Sequence, residues 1–426
     1  MGVLVAPAPR RAGSSPSAPR LVTLGAPHRH PRRPGSSPSA PRTVTLGGLV
    51  RRAYPGRVPS TQRSFASDNY APAHPAVLAS LTAANVGHAG SYGADPWTGR
   101  LQEVVRHHFG EAATAYPVFN GTGANVVALM SMLPRWGAVV TSEHAHVHQD
   151  ENAAPERVGG IKLLTVPSPD GRLTPDAVDR FVGDLGDQHR AQPLVVSITQ
   201  ATELGTVYSP DEIRAISDRA HAAGLRVHLD GARLANAAAA LGVSLRATTT
   251  DVGVDVVSLG GTKNGLLFGE AVVVLDPDAA QGVDFVRKMT MQLASKMRFV
   301  SAQLTALLED DLWRANAAHA NAMAARLRAA LSPVAATGEV PDGGTRAAPS
   351  GLAFTQPTQA NAVFAVLPRT AAERLRADFA FYDWAAAATD PVTGDERVEV
   401  RWMCSWDTSE EDVDAFAAAV RAALGA

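Results

Sequence analysis

Asp230 and Lys263 each stand at or just beyond the end of a short apolar run, and between them they outline a chemistry. Lys263 follows Val256-Val257-Ser258-Leu259-Gly260-Gly261-Thr262. The apolar residues predict a buried strand over 255–259. Gly260 and Gly261 end that strand and let neighbouring groups approach closely. Lys263 then projects from a short turn at a sheet edge, where a held amine can condense with an aldehyde as a Schiff base. Taken alone, the same residues also describe a surface lysine in a turn. Asp230 tilts the balance. It closes Leu225-Arg226-Val227-His228-Leu229, a second predicted strand. A carboxylate at a strand's C-terminal edge can pair with a pyridinium nitrogen.

A third stretch supplies an anion site. Asn120-Gly121-Thr122-Gly123-Ala124-Asn125 follows a predicted strand at 115–119 and opens a helix predicted to run through Leu133. Amides at a helix N-terminus favour phosphate, glycines let it come close, and Thr122 adds a hydroxyl donor. The stretch lacks the Lys-Ser/Thr of a nucleotide P-loop and the glycine spacing of a dinucleotide site. By itself it is equally a helix cap. Lysine, strand-end carboxylate and phosphate cradle together are the parts of a pyridoxal 5'-phosphate (PLP) site.

Two further groups carry open alternatives. His144, His146 and His148 stand at i, i+2 and i+4 beside acids. On a strand all three would share a face, which suits a metal. The spacing equally suits one histidine packed flat on an aromatic cofactor, or a polar loop. The chain has a single cysteine, Cys404, so no thiolates support a zinc site, and no metal is expected. Arg401, in a predicted strand at 397–403, is either a salt-bridged structural residue or a clamp for a substrate carboxylate.

The elements that must position these residues alternate. Strands are predicted at 115–119, 138–141, 161–166, 194–199, 225–230, 255–259 and 271–275, with helices between them. One helix starts at Ser209-Pro210-Asp211-Glu212 and stops at Gly224. The alternation predicts an α/β fold, a mostly parallel sheet covered by helices on both faces. Ligands of such sheets sit beyond the strand C-terminal ends, and Gly121, Asp230 and Lys263, at or just beyond predicted strand ends, are expected to converge there. Later come alanine-rich helices over 296–331, a Pro/Gly/Thr-rich loop at 333–350, strands at 360–367 and 397–403, and a helix at 410–424. These predict a smaller C-terminal α+β domain. The expected organisation is a tail at 1–62, a large domain at 63–295 and a small domain at 296–426.

Composition sets the bounds. Hydrophobic residues at 46% and charged residues at 19% are globular values. A net charge of −2 gives no global pull toward nucleic acid or membrane. Eleven arginines but no lysine or acid precede Asp68, so the remainder is acidic. Within that tail Gly13-Ser14-Ser15-Pro16-Ser17-Ala18-Pro19-Arg20 returns as Gly35-Ser36-Ser37-Pro38-Ser39-Ala40-Pro41-Arg42. Such a Pro/Ser/Arg repeat cannot bury a core. It reads as a disordered tail, with a transit peptide or a nucleic-acid-binding arm as alternatives. No secretory signal and no apolar run of spanning length is present, and a cytoplasmic protein is expected.

From about Ser64 to Leu424 the chain resembles the L-threonine aldolase family, fold-type-I PLP enzymes of the wider aromatic amino-acid β-eliminating lyase group. The resemblance is carried by Ser67-Asp68-Asn69, Tyr92-Gly93-Ala94-Asp95-Pro96, Asn120-Gly121-Thr122-Gly123-Ala124-Asn125, Ala145-His146 with Glu151, His228-Leu229-Asp230-Gly231-Ala232-Arg233 and Thr262-Lys263-Asn264-Gly265. It implies an aspartate-aminotransferase-like fold and a PLP-dependent aldehyde-lyase that cleaves L-threonine or L-allo-threonine to glycine and acetaldehyde. It implies Lys263 as the Schiff-base lysine, Asp230 at the pyridinium nitrogen, His146 stacked on the ring, and Gly121 and Thr122 on the phosphate. Ser67, Arg233 and Arg401 would bind the substrate carboxylate, with Arg233 also at the cofactor. Tyr92 would face a neighbouring subunit's site in a homodimer or homotetramer. One departure is informative: many members carry Glu-Asn-Thr-His-Asn-Gly after the 194–199 strand, where this chain has Gln200-Ala201-Thr202-Glu203-Leu204-Gly205. Without that histidine, the β-hydroxyl proton must go to His146, another residue or water. Alternatives within the same fold are β-elimination from another amino acid and a catalytically silent homologue.

Overall fold

The alternating apolar runs pair into a seven-stranded sheet in the computed structural model, which describes residues 63–335, 351–389 and 394–425. The expected tail at 1–62 and most of the expected loop at 333–350 lie outside the described residues. In chain order the strands are β1 (Thr114–Val118), β2 (Gly137–Ser142), β3 (Lys162–Val166), β4 (Gln192–Thr199), β5 (Arg226–Gly231), β6 (Val256–Leu259) and β7 (Glu270–Val274). Across the sheet they run β1-β7-β6-β5-β4-β2-β3. The pairs from β6 through β3 are parallel. β7 lies antiparallel to both β1 and β6, so it is the one reversed strand of this sheet.

These strands read as continuous apolar runs because both faces are covered. Val140, Val196, Val257 and Val273 join one buried cluster, and their chain neighbours Val139, Val195, Val256 and Val272 join another on the opposite face. The covering helices include α1 (Pro75–Ala84), α2 (Pro96–Phe109), α3 (Gly121–Met132) and α4 (Pro210–Ala222). α4 begins where the sequence placed it. Ser209 Oγ accepts from the Glu212 amide at 3.2 Å, and a Glu212 carboxylate oxygen accepts from the Ser209 amide at 2.7 Å.

The stretch 296–331 forms two helices, α5 (Arg298–Leu308) and α6 (Leu312–Leu331). Asp310 and Asp311, with φ of 54° and 56°, break the helical path between them. A second, antiparallel sheet contains β8 (Ala353–Phe354), β9 (Ala362–Pro368), β10 (Tyr382–Thr389) and β11 (Glu396–Met403), in the order β10-β11-β9-β8. The last helix is α7 (Glu410–Leu424). α5 and the start of α6, including Val300, Leu304 and Trp313, pack in the cluster of the large sheet. Met323, Ala324 and Leu327 of α6 instead join the cluster of the small sheet and α7. No helix among the described residues is long and apolar enough to cross a membrane.

Phe416 of α7 is the hub of the second cluster. Phe65 stacks on it at 4.4 Å and Trp402 meets it edge-on at 5.2 Å. The Phe65 contact anchors the segment that carries Ser67 and Asp68, so this core also sets part of the site. Phe416→Ala empties a fully buried aromatic position. It is expected to cost about 3–5 kcal/mol of stability, read as a lowered denaturant midpoint with an unchanged slope.

Candidate active site

The C-terminal ends of β4, β5 and β6 lie side by side, with Thr199 opposite Asp230 and Asp230 opposite Ser258. Asp230 is buried there. Its Oδ1 accepts from the Ala232 amide at 3.0 Å and its Oδ2 from Asn125 Nδ2 at 2.8 Å. One layer below, His228 bridges Ser197 and Ser258 at 2.9 Å each. Burial pushes the His228 imidazole down to about 4, so it is neutral.

Beyond β6 the two glycines do what the sequence suggested. A Cβ on Gly260 would lie 2.4 Å from the Ala232 carbonyl oxygen, and one on Gly261 would lie 2.5 Å from Leu266. Only glycine lets the ends of β5 and β6 close to this distance. The turn Thr262–Asn264 then carries Lys263. It is fixed by Asn264 Nδ2 donating to the Trp313 carbonyl at 3.0 Å and Asn316 Nδ2 donating to the Asn264 carbonyl at 2.9 Å. Glu270 accepts from the Gly261 amide at 2.5 Å and the Thr262 amide at 3.3 Å. Burial lifts this carboxyl to about 7. Burial, and next the charge of Arg233, lower the pKa of Lys263 and favour its neutral, nucleophilic form.

Asn120 caps α3, its side-chain oxygen accepting from the Gly123 amide at 2.8 Å. The amides of Gly121 and Thr122 have no acceptor among the described residues. A Cβ built on Gly121 would meet nothing within 4 Å, so the space above the helix end is open. One cavity of about 200 Å³ joins Gly121, Thr122, His146, Asp230, Gly260 and Lys263. It has bare amide donors, a buried carboxylate and an amine on its walls.

The three histidines are not on a strand. His146–Gln149 is a helical turn after β2, so the three side chains do not share a face. His146 lines the cavity while His148 is exposed. Among the described residues no cluster of three His, Cys, Asp or Glu is placed to hold a metal ion. His146 Nδ1 bonds Glu151 Oε1 at 2.9 Å, and Asn125 Nδ2 donates to the same Glu151 oxygen at 2.8 Å. Asn125 thereby ties the His146–Glu151 pair to Asp230. The Glu151 hydrogen bond, outweighing burial, raises the pKa of His146.

A wider cavity of about 990 Å³ lies in front of Lys263 and also takes in Ser67, His146, Glu203, Arg233 and Arg401. Ser67 Oγ accepts from the Asn69 amide at 3.2 Å. Arg233 is engaged by Asp68 in a two-pronged pair, Nε to Oδ2 at 2.7 Å and Nη2 to Oδ1 at 2.9 Å. Burial alone would raise the Asp68 carboxyl, but the charge and hydrogen bonds of Arg233 outweigh it and hold it below its usual range. Arg401 has a looser hold. Its Nη2 reaches the Ala66 carbonyl at 3.5 Å, its Nε has no partner, and its guanidinium lies 4.7 Å from the Trp384 ring centre. Of the two arginines, Arg401 retains more hydrogen-bonding capacity for an incoming carboxylate.

Tyr92 is not brought to this cavity within the chain. It is half exposed, with a left-handed φ of 59°, and Lys288 Nζ lies 4.7 Å from its ring centre. Sequence reasoning assigned no role to Asp68, Asn125, Glu151, Glu203 or Glu270. Asp68, Asn125 and Glu151 did lie in or beside the quoted motifs. Glu203 lies in the stretch where the family's histidine is missing, but was given no role there.

Comparison with known proteins places the arrangement. The family model for beta-eliminating lyases matches residues 64–342. Low-specificity L-threonine aldolases from a Pseudomonas species and from Pseudomonas aeruginosa are each 40% identical over 366 residues, covering 85% of this chain and 99% of theirs. A solved threonine aldolase structure from Leishmania major superposes with a TM-score of 0.75 at 26% identity, covering 85% of this chain and 99% of its own. The matched region holds the paired strand ends, the α3 cradle and the Lys263 turn, and the chain belongs to the beta-eliminating lyase family, alongside its L-threonine aldolases.

Proposed function

We propose that this chain is a PLP-dependent aldehyde-lyase that cleaves L-threonine or L-allo-threonine to glycine and acetaldehyde. The observation that carries the reading is the single cavity shared by the Lys263 amine, the Asp230 carboxylate and the unbonded amides of Gly121 and Thr122. The residues fit the group. The bare amides, with the Thr122 hydroxyl, would hold its phosphate. Asp230 would hold the proton on the ring nitrogen, and His146, braced by Glu151, would cover the ring face. Bound PLP supplies an aldehyde for amines and a ring that takes up the electron pair left at Cα.

The chain's own residues then orient the substrate. Arg401 and Ser67 would grip its carboxylate, and Arg233, itself fixed by Asp68, would set the angle of that grip. Burial, and next the charge of Arg233, lower the amine pKa of Lys263 and favour its neutral, nucleophilic form toward the aldehyde PLP would supply. We also infer a homodimer or homotetramer in which Tyr92 serves a neighbour's cavity. Exposed apolar residues near that loop and the cradle, including Phe119, Phe268 and Met291, support it. The single, buried Cys404 suits a reducing cytoplasm. The large domain over 63–295 and the small one over 296–426 are likewise proposed, with α5 and the start of α6 packing on the large sheet.

Product analysis tests the activity. Protein supplied with PLP and L-threonine, then with L-allo-threonine, is expected to release acetaldehyde and glycine in equal amounts. Oxoacid and ammonia would instead identify a β-eliminating lyase, and no product would leave the reading without support.

A further inference from the structure

The cleavage proposed above needs an acceptor for the β-hydroxyl proton, and the inference drawn here rests on that reading. Of the titratable groups around the wide cavity, Asp150 and Tyr382 are exposed, His144 faces Glu143, and Asp383 pairs with Arg369 and Arg376. Asp230 is committed to Ala232 and Asn125, and Asp68 to Arg233. Glu399 accepts from Thr355 at 2.5 Å. His146 is bound at Nδ1 by Glu151, and that bond holds the ring cationic to higher pH.

Glu203 differs from all of these. It follows β4, beside the β5 end that carries Asp230, and it lines the cavity with Lys263 and Arg401. Its Oε1 accepts from the His146 amide at 2.7 Å and from Thr199 Oγ1 at 3.1 Å. Its Oε2 is buried and has no partner. One oxygen fixes the carboxylate to the end of β4 and to the His146 turn, and the other makes no hydrogen bond.

We propose that Glu203 is the catalytic base, accepting the β-hydroxyl proton as the Cα–Cβ bond breaks. The O–H electron pair becomes the second bond of the aldehyde C=O. The Cα–Cβ pair stays with the glycine fragment and the proton moves to Glu203, which gives it up, directly or through solvent, to Cα, so the net transfer is from the hydroxyl to Cα. The electrostatics suit this task. Burial, and next the negative charge of Asp230, lift the Glu203 carboxyl to about 7. Asp230, Arg233, Tyr208, the Thr199 hydroxyl and the amide of His146 are the charged, titratable and donor groups that face it. A base with its pKa near the working pH is the effective one.

Glu203→Gln tests the proposal, because Gln retains an oxygen for His146 and Thr199 but cannot take the proton. Acetaldehyde release from L-threonine is expected to fall by about 10²-fold or more. The visible absorbance of the PLP-loaded protein should be unchanged. Exchange of the glycine Cα hydrogen with deuterated water, followed by NMR, should stay within a few-fold of the unsubstituted protein, since glycine has no β-hydroxyl. Undiminished aldehyde release would overturn the proposal. So would an equal loss of cleavage and glycine exchange, which would make Glu203 a structural support. An unsubstituted protein that exchanges glycine but releases no aldehyde would instead refute the underlying aldolase reading.

Discussion

Lys263→Ala is expected to reduce acetaldehyde release on the order of 10³-fold or more, the scale on which loss of a covalently acting group is felt. The effect follows from how the amine is held. Gly260 brings the ends of β5 and β6 together, Gly261 packs against Leu266, and Asn264 and Asn316 pin the turn. The amine is thereby fixed in the cavity that Asp230 and the α3 amides share. No other lysine can substitute. The chain has only Lys162, Lys263, Lys288 and Lys296, and none of the other three lines either cavity. Removing the amine relieves its burial but also takes a favourable charge from Asp68, Asp230 and Glu270, so the two effects oppose and the thermal midpoint should change little. A coupled assay of aldehyde release, with a melting curve on the same sample, checks both.

Asp230→Ala carries the second largest expected effect, a loss of about 10²–10³-fold in cleavage. That is the scale for removing a preorganised electrostatic partner of the reacting group. Asp230 is buried and placed by two hydrogen bonds. The histidine beneath it, His228, is neutral and offers no substitute charge. Asn125 keeps its bond to Glu151 in the variant, so the His146 brace is expected to survive. The loss should therefore appear in kcat more than in the amount of PLP bound at saturation, measured by steady-state kinetics and absorbance titration.

The parts of the site visible in the sequence were those with a local signature. Lys263, Asp230 and the Gly121 cradle each follow a strand, and each announces itself within a few residues. Groups that depend on distant partners were not visible as such. Asp68 acquires its role only because Arg233 and Asn361 meet it across the fold. Asn125 looked like one more helix residue until its amide was found between Asp230 and Glu151.

The histidine run misled in its geometry. Alternation suggested a strand, but the chain turns at Ala145 and begins a helical turn, leaving His146 in the cavity. β10 was unforeseen for a related reason. Its alanine-rich sequence has helical propensity, and it becomes a strand through its pairing with β11, which is also where Arg401 stands opposite Tyr382. Tyr92 has no place in this cavity within one chain, since its expected role belongs to an assembly.

Absorbance of the purified, PLP-supplied protein before and after borohydride, followed by peptide mapping, tests the central claim most directly. The account predicts a visible band that borohydride bleaches, with the pyridoxyl label on the peptide containing Lys263. A protein that stays colourless with added PLP, or a label on Lys162, Lys288 or Lys296 in place of Lys263, would contradict it.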